Sequence, residues 1–418
     1  MKNLKLFTAI SLIPLAMPLC VQAAWDITPA AQIQGSYTDN VRMNTLNEDS
    51  AFITTATGQI KLSNNTESSQ SSITGGLSFL KFSGADDLND KDIQFLDVSV
   101  KKRYERTSFS VKGSYRRDLM LKRSRAISSI DDSLAGDTFD DAFGSDDFID
   151  TPDLDDSTSR LQIRRERFRV NPSLNWRISE RTNGRVKLNY SEINYGSGAA
   201  LAGVQGNKNQ SATLSIRRSI SDKNTLTISA SARNFNPDNN VKSQNYDAAL
   251  TWGHTYSERS GIDIKAGFRI TERAANGTQP STNDTGFVFR IGGNHQYERT
   301  NLKLSAERTV YPGAFGQLVE TDRITFALTR RLSARTGLSV SSRAYSTEAS
   351  RTTNGSNRDR DYFQLGTVLS HRFTEVLNVS LSYDFTWIDR KQASTTFSTE
   401  PGTASGNTIS LAFSYNPR

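Results

Sequence analysis

Cysteine, histidine and long apolar stretches are scarce in this chain of 418 residues. The one cysteine is Cys20, and the three histidines, His254, His295 and His371, are far apart in the sequence. Thiol catalysis and a disulfide framework are therefore excluded after residue 20, and histidine-based catalysis has little to draw on. We accordingly expect no enzymatic activity, no metal site and no cofactor. No stretch after residue 23 is long and apolar enough for a membrane-spanning helix.

The first 23 residues contain the one extended apolar run. Two lysines in MKNLK precede LFTAISLIPLAMPLCV, and the small residues of VQAA follow it. This order predicts a secretory signal peptide at residues 1–23, cleaved after Ala23. Cys20 leaves a lipoprotein alternative open, although lipidation usually wants smaller residues before the cysteine. Export from the cytoplasm excludes nucleic acid as a partner, despite a formal net charge of +7.

Alternation of apolar and polar residues dominates the remainder of the chain. In LNVSLSYDFTW, residues 377–387, the apolar side chains fall on one face and the small polar side chains on the other. This period of two is that of a β-strand with one apolar and one polar face. We count about eighteen such segments. Sixteen is the alternative count, because residues 51–63 and 199–216 are weakly patterned.

Connections between these segments alternate between short and long. The short ones repeat a similar turn, as in YERTSF at 104–109, SERTNG at 179–184 and SERSGI at 257–262. A soluble all-β protein also alternates, but it does not need short and long connections in turn. The pattern predicts an all-β, antiparallel, up-and-down transmembrane barrel at residues 24–418, in the outer membrane of a Gram-negative bacterium. An even strand count places both termini in the periplasm. The expected partners are outer-membrane lipid, lipopolysaccharide and the barrel assembly machinery.

The segment AWDITPAAQIQGSYTDNV, residues 24–41, carries a resemblance to a known family. Its residues Trp25, Pro29, Tyr37, Thr38, Asp39 and Asn40 resemble the start of bacterial outer-membrane β-barrels, of a putative porin type, associated with exopolysaccharide and PEP-CTERM loci. The resemblance implies a role in exopolysaccharide export or surface attachment, with periplasmic polysaccharide-export components as partners. The carboxyl end departs from the usual aromatic ending of outer-membrane strands, because Asn416, Pro417 and Arg418 follow Tyr415.

Basic residues dominate the face that would line the barrel interior. These predicted lining residues are Lys101, Arg103, Lys112, Arg116, Arg167, Arg169, Arg185, Lys187, Arg217, Arg233, Lys265, Arg269, Arg290, Arg331, Arg343 and Arg372. Acidic residues of the same face are fewer, namely Asp97, Asp118, Asp247, Asp263, Glu307 and Asp384. One interpretation is an anion-preferring passage, because arginine binds carboxylates and phosphates and a low-dielectric wall focuses the field. The other is that Arg–Asp networks stiffen the wall.

An acidic insertion at 124–158 is the third of the long connections. It contains eleven aspartates: Asp131, Asp132, Asp137, Asp140, Asp141, Asp146, Asp147, Asp150, Asp153, Asp155 and Asp156. One hypothesis is that it folds into the basic interior as a plug or constriction. A solvated loop is the alternative that its composition also favours. Calcium binding is a third, although the insertion has no EF-hand spacing.

Taken together, these patterns predict a barrel with a basic-lined passage that contributes to exopolysaccharide export. Two alternatives stay open. One is a general, anion-preferring diffusion porin, and the other is a structural barrel that anchors surface polymer through its loops. A barrel enzyme would need a serine or aspartate beside a histidine on the wall. Instead, the alternation places all three histidines on the outward face of the strands near short turns, a position that suits the membrane interface.

Overall fold

The computed structural model describes residues 25–43, 48–84, 88, 90–119, 163–196, 205–238, 242–275, 281–312, 318–349, 360–390 and 402–417. Across these ranges, no helix has the length and apolar character needed to cross a membrane. The strands are β1 Asp26–Thr38, β2 Ala51–Asn65, β3 Ser69–Ser83, β4 Lys91–Arg103, β5 Thr107–Leu119, β6 Arg164–Ser179, β7 Thr182–Tyr195, β8 Asn207–Ser219, β9 Asn224–Pro237, β10 Ser243–Ser257, β11 Ser260–Arg273, β12 Thr282–Gln296, β13 Thr300–Pro312, β14 Leu318–Arg331, β15 Thr336–Ala349, β16 Arg360–Arg372, β17 Leu377–Arg390 and β18 Gly402–Tyr415.

These eighteen strands form one closed antiparallel sheet. Each strand pairs with its neighbours in sequence, and β1 pairs with both β2 and β18. The predicted barrel and the predicted count of eighteen are therefore confirmed, and the alternative count of sixteen is wrong. Of the two weakly patterned segments, residues 51–63 lie in β2 and residues 207–216 lie in β8. Closure leaves no free sheet edge at the join between the first and last strands, as a bilayer requires.

The last strand closes the barrel despite its unusual ending. Eight residue pairs join β18 to β1, from Ala31 opposite Tyr415 to Thr38 opposite Thr408. Asn416 continues the hydrogen bonding, since its backbone N–H donates to the carbonyl oxygen of Val376 at 2.8 Å. The three residues after the final aromatic therefore do not prevent β18 from pairing on both sides.

Across the described ranges, the short turns lie on one rim of the barrel, which we call the short-turn rim. The strand ends that the long connections join lie on the opposite, long-loop rim. Hydroxyl side chains begin several of these turns. Ser333 accepts hydrogen bonds from the backbone N–H groups of Arg335 and Thr336, and Thr374 accepts from Val376 and Leu377. A Ser or Thr side chain that accepts hydrogen bonds from the N–H groups two and three residues later stabilises a tight turn. This explains why similar turn sequences recur along the chain.

Large apolar side chains cover the outside of the barrel. Ile33, Phe79, Ile228 and Phe268 all point outward, and Phe268 is 78% exposed. A soluble protein rarely exposes apolar residues on strand after strand, whereas a transmembrane barrel presents such a belt to lipid. The exterior is therefore that of an outer-membrane barrel.

The three histidines lie on the outward surface close to the short-turn rim. Each packs against an aromatic ring two residues later in the chain, for example His295 against Tyr297 at a centroid distance of 4.1 Å. Each also contacts a polar side chain of the adjacent strand through Nδ1, as His371 does with Thr336 at 2.9 Å. Aromatic groups at this level form the interfacial girdle of transmembrane barrels.

Candidate passage through the barrel

One large cavity of about 990 Å³ lies inside the barrel, against the wall formed by β4 to β13. Inward-facing Ser, Thr and Asn side chains cover much of this wall on β7, β8 and β9. They include Asn189, Ser211, Thr213, Thr227 and Ser229. Short hydroxyl and amide groups leave room for water and offer both donors and acceptors to a solute. This side of the interior is therefore open and hydrophilic.

Nine of the sixteen predicted basic residues line this cavity: Lys101, Arg103, Arg169, Arg185, Lys187, Arg217, Arg233, Lys265 and Arg290. The other seven share the inward parity of their strands but are not among the described residues that line it: Lys112, Arg116, Arg167, Arg269, Arg331, Arg343 and Arg372. The strand register thus brings the basic residues of β4, β6–β9, β11 and β12 around one aqueous space.

Several inward arginines form ion pairs with the wall. Arg290 lies 3.6 Å from Asp263, and Arg116 lies 3.8 Å from Asp97. At the long-loop end of β5 and β6, the Asp118 carboxylate bonds both Arg165 and Arg167, and Arg165 is buried. Paired arginines stiffen the wall and contribute less field to the cavity than cations facing it alone. Pairing and lining coincide at Arg290, which pairs with Asp263 and also borders the cavity.

The opposite side of the interior is filled at the long-loop rim. After β1 the chain turns inward, and Val41 packs in an apolar cluster with Ala51, Leu80, Phe82, Leu88 and Ile93. Two residues later, Met43 packs with Tyr345, Tyr362, Ile388 and Ala404 on β15–β18. We call residues 39–43 the inner loop. Only a small space of about 60 Å³ lies between this loop and the wall.

Polar side chains fix the inner loop to β18. The Asp39 carboxylate accepts hydrogen bonds from the backbone N–H and the side-chain amide of Asn407, at 2.7 and 2.6 Å. The Asn40 amide donates to the Ser405 carbonyl oxygen at 3.0 Å. Met43 has a positive φ of 51°, which a non-glycine residue keeps only where its surroundings hold it.

The segment that carries the family resemblance therefore has a structural role at its end. Asp39 and Asn40 hold the inner loop, while Tyr37 points outward from β1 and is half exposed. Thr38 is buried inside the barrel, Pro29 lies in β1 opposite Ile60, and Trp25 precedes β1 and is exposed. Sequence reasoning did not find the inner loop. The available signal was the pair of apolar residues, Val41 and Met43, in an otherwise polar connection.

A second inward element is the long-loop end of β13 and β14. Val310 packs against Phe235 of β9, and the Val310 carbonyl oxygen accepts a hydrogen bond from Arg233 at 2.7 Å. Glu320 of β14 accepts a hydrogen bond of 2.7 Å from the buried Arg269 of β11. These contacts place the end of this hairpin against the inward face of the neighbouring strands, beside the cavity.

The acidic insertion at 124–158, with its eleven aspartates, and the signal peptide at 1–23 lie outside the described residues. The inward folding of the third long connection therefore stays a prediction. The two inward elements that the structure describes are instead the inner loop and the end of the β13–β14 hairpin.

Comparison with known proteins gives a likeness of architecture only. No family model matches the sequence, and no curated protein matches it. Among solved structures, OccAB2 of Acinetobacter baumannii has a TM-score of 0.47 at 8% identity, covering 94% of this chain and 98% of that one. OpdQ of Pseudomonas aeruginosa has a TM-score of 0.45 at 10% identity, covering 94% and 99%. A loop-deletion variant of OmpT of Vibrio cholerae has a TM-score of 0.37 at 13% identity, covering 94% and 100%. These values are too low to carry an inference about transport.

Proposed function

We propose that this barrel is a diffusion channel that admits small hydrophilic solutes through the outer membrane and prefers anions. The observation that supports this most is the hydrophilic cavity beside β4–β13, with basic residues distributed along it. Arg233 lies towards the long-loop end, Lys187 and Lys265 lie in mid-strand, and Arg103 and Arg217 lie near the short-turn rim. A cation within reach at each level attracts anions along the whole path.

The size of the cavity suits a small solute. A volume of about 990 Å³ is of the size that holds one small molecule. The inner loop and the end of the β13–β14 hairpin both turn inward at the long-loop rim. The expected role in exopolysaccharide export finds no support in the comparisons, since no family model or curated protein matches. The diffusion porin, which was the alternative, is therefore the function we put forward.

Orientation follows from the same proposal. Short connections face the periplasm in transmembrane barrels and longer ones face outward. We therefore place the short-turn rim and both ends of the barrel in the periplasm, where the barrel assembly machinery would receive the chain. Lipopolysaccharide would then surround the long-loop rim.

The test is ion selectivity of the refolded protein in a planar bilayer. Under a KCl gradient, we expect a steady conductance whose reversal potential shows greater permeability to chloride than to potassium. Replacing Lys101, Arg103 and Arg217 together by Gln removes three cavity-lining charges, so the reversal potential should shift towards cation preference.

The matched control removes three inward charges that are not among the described cavity-lining residues. They are Arg343, Arg372 and Lys61, which has the inward parity of the buried Thr55 and Thr57 on β2, and each is replaced by Gln. This variant should keep most of the anion preference. A silent wild-type barrel would refute the channel, and equal shifts in the two triple variants would refute the basic lining as the source of selectivity.

A further inference from the structure

The wall is split between β12 and β13 near the long-loop rim. Pairing between these strands begins at Asn301 opposite Gln296 and ends, after eight residue pairs, at Arg308 opposite Phe289. Beyond that point β12 still pairs with β11 up to Thr282, and β13 still pairs with β14 up to Pro312. Two strand edges, residues 282–288 and 309–312, therefore face one another without forming a ladder.

Near the split, two side chains lie inside the barrel although the alternation of their strands places them on the outside. Val310 shares a strand face with Leu304, which is 55% exposed on the outside, yet Val310 is buried against the inward-facing Phe235. Likewise, Glu320 shares a face with the outward, exposed Ile324 but bonds the inward-facing Arg269. Because strand faces alternate strictly, the end of the hairpin has turned inward past the edge of β12.

Register shows that a second arrangement is available. If the ladder continued from Phe289 opposite Arg308, Val288 would face Thr309 and Phe287 would face Val310. Phe287 points outward and is 52% exposed, so Val310 would join it as an apolar cross-strand pair on the lipid side. The sequence of β13 therefore suits a fully paired wall as well as the inward position.

We propose that the end of this hairpin, residues 309–312 and 318–321, is a gate with two positions. In the inward position it narrows the passage, and in the paired position it completes the wall beside β12 and widens the mouth. The proposal rests on the channel function proposed above. The inward position is stabilised by the Val310–Phe235 contact and by the Arg269–Glu320 bond, whereas the paired position gains backbone hydrogen bonds along residues 285–288.

Arg269 crosses the β12 backbone at Gly286 to reach Glu320. A Cβ atom at this position would lie 2.5 Å from Nη2 of Arg269, so a side chain here would require the guanidinium to shift. Arg308 also lies 3.5 Å from Glu320, which places this carboxylate between two guanidinium groups. A side chain at residue 286 would displace Arg269 from Glu320 without touching the hairpin itself.

Cysteine crosslinking separates the two positions, because the sequence has no cysteine after residue 20. Val310→Cys is combined with Phe235→Cys to trap the inward position and with Phe287→Cys to trap the paired one. Ile264→Cys with Ile291→Cys is the control, since these residues already face one another on β11 and β12. Disulfide formation is followed by gel mobility on folded barrels in lipid vesicles, with heat-modified mobility as proof of folding.

We expect both Val310 pairs to crosslink. In planar bilayers, locking Val310 to Phe235 should lower the single-channel conductance by roughly twofold or more, and locking it to Phe287 should raise it. Reduction should reverse both changes, and the control disulfide should change neither.

Absence of the 287–310 disulfide, while the 235–310 and control disulfides form, would overturn the movement. Both disulfides without a change in conductance would overturn the gate. Silence of every variant would refute the channel function, yet the crosslinks would still decide whether the hairpin moves.

Gly286→Ala, added to each cysteine pair, supplies a second test that changes only residue 286 of the parent cysteine variants. Displacing Arg269 should favour the paired position, so the 287–310 disulfide should form roughly twofold faster or more and the 235–310 disulfide more slowly. Gly113→Ala is the matched control, because its added Cβ would meet the Arg169 carbonyl oxygen only at an ordinary 3.8 Å. Unchanged rates in Gly286→Ala would refute Arg269 as the restraint on the gate.

Discussion

The two sides of the barrel interior differ although the same kind of strand builds both. Along β7–β9 the inward side chains are Ser, Thr and Asn, and they border an open cavity. On β2–β4 and β15–β18, near the long-loop rim, they include Leu80, Phe82, Tyr345 and Ile388, which are buried under the inner loop. Inward apolar residues at strand ends thus mark where a connection folds back into the barrel, whereas inward hydroxyl residues mark where water remains.

The largest expected effect comes from expelling the inner loop with Met43→Asp. Met43 is only 2% exposed within its apolar cluster, and burying a carboxylate there costs several kcal/mol. The loop should therefore leave the interior, and single-channel conductance should rise, roughly doubling if the filled side becomes as open as the other.

Met43→Leu is the matched control. Leucine keeps the volume and apolar character, so it should cost less than about 1.5 kcal/mol and leave the conductance unchanged. An unchanged conductance in Met43→Asp, in a correctly folded barrel, would show that the inner loop does not restrict the interior.

A smaller effect is expected from loosening the anchor of the inner loop with Asp39→Ala. The substitution leaves the backbone N–H and side-chain amide of Asn407 without their acceptor, at a cost of about 1–3 kcal/mol in the free energy of unfolding. Urea titration of the barrel in lipid measures this loss, and current recordings should show added noise as the loop moves.

Asp49→Ala is the comparison for the anchor. Asp49 is 41% exposed and pairs with Arg42 at 3.8 Å, so its loss should change stability by about 0–1 kcal/mol. Equal losses in the two variants would contradict an anchoring role for Asp39.

The smallest expected effect is a difference in stability between two variants. Each removes a hydroxyl–hydroxyl hydrogen bond, one in a buried and one in a half-buried environment. Thr57 bonds the buried Ser78 at 2.8 Å on β2–β3, and Thr325 bonds the half-buried Ser305 at 2.6 Å on β13–β14. Thr57→Val leaves a buried hydroxyl without its partner and should cost about 1–3 kcal/mol.

Thr325→Val should cost less, because water can reach the Ser305 hydroxyl, and urea titration of the two single variants gives the difference. Equal costs for Thr325→Val and Thr57→Val would contradict the expectation that water reaches the Ser305 hydroxyl but not the Ser78 hydroxyl.

Strand number, strand bounds and turn positions could be predicted from the sequence because each depends on local pattern. The alternation in residues 377–387 and the repeated turn residues, such as Ser333 and Thr374, specify pairing between neighbours without any long-range contact. Pairing of β18 with β1 could be predicted as well, because a transmembrane sheet must close on itself.

The shape of the passage could not be predicted because it depends on contacts between distant parts of the chain. Met43 meets Tyr345 and Ile388, which are about three hundred residues later in the sequence. The alternation of β13 continues through Val310 and predicts unbroken pairing with β12, so the split was not visible in the pattern. Inward parity indicated where the basic residues point, but not which of them bond carboxylates of the wall, as Arg269 and Arg167 do.

Thiol accessibility inside the barrel is the measurement that decides between one open side and an evenly open interior. A single cysteine replaces Thr213 on the open side or Thr55 under the inner loop, and a membrane-impermeant, negatively charged methanethiosulfonate reagent is added during current recording. We predict a stepwise fall in conductance for Thr213→Cys and no reaction for Thr55→Cys. Reaction and block at residue 55, whether or not residue 213 also reacts, would contradict a passage confined to the side along β4–β13.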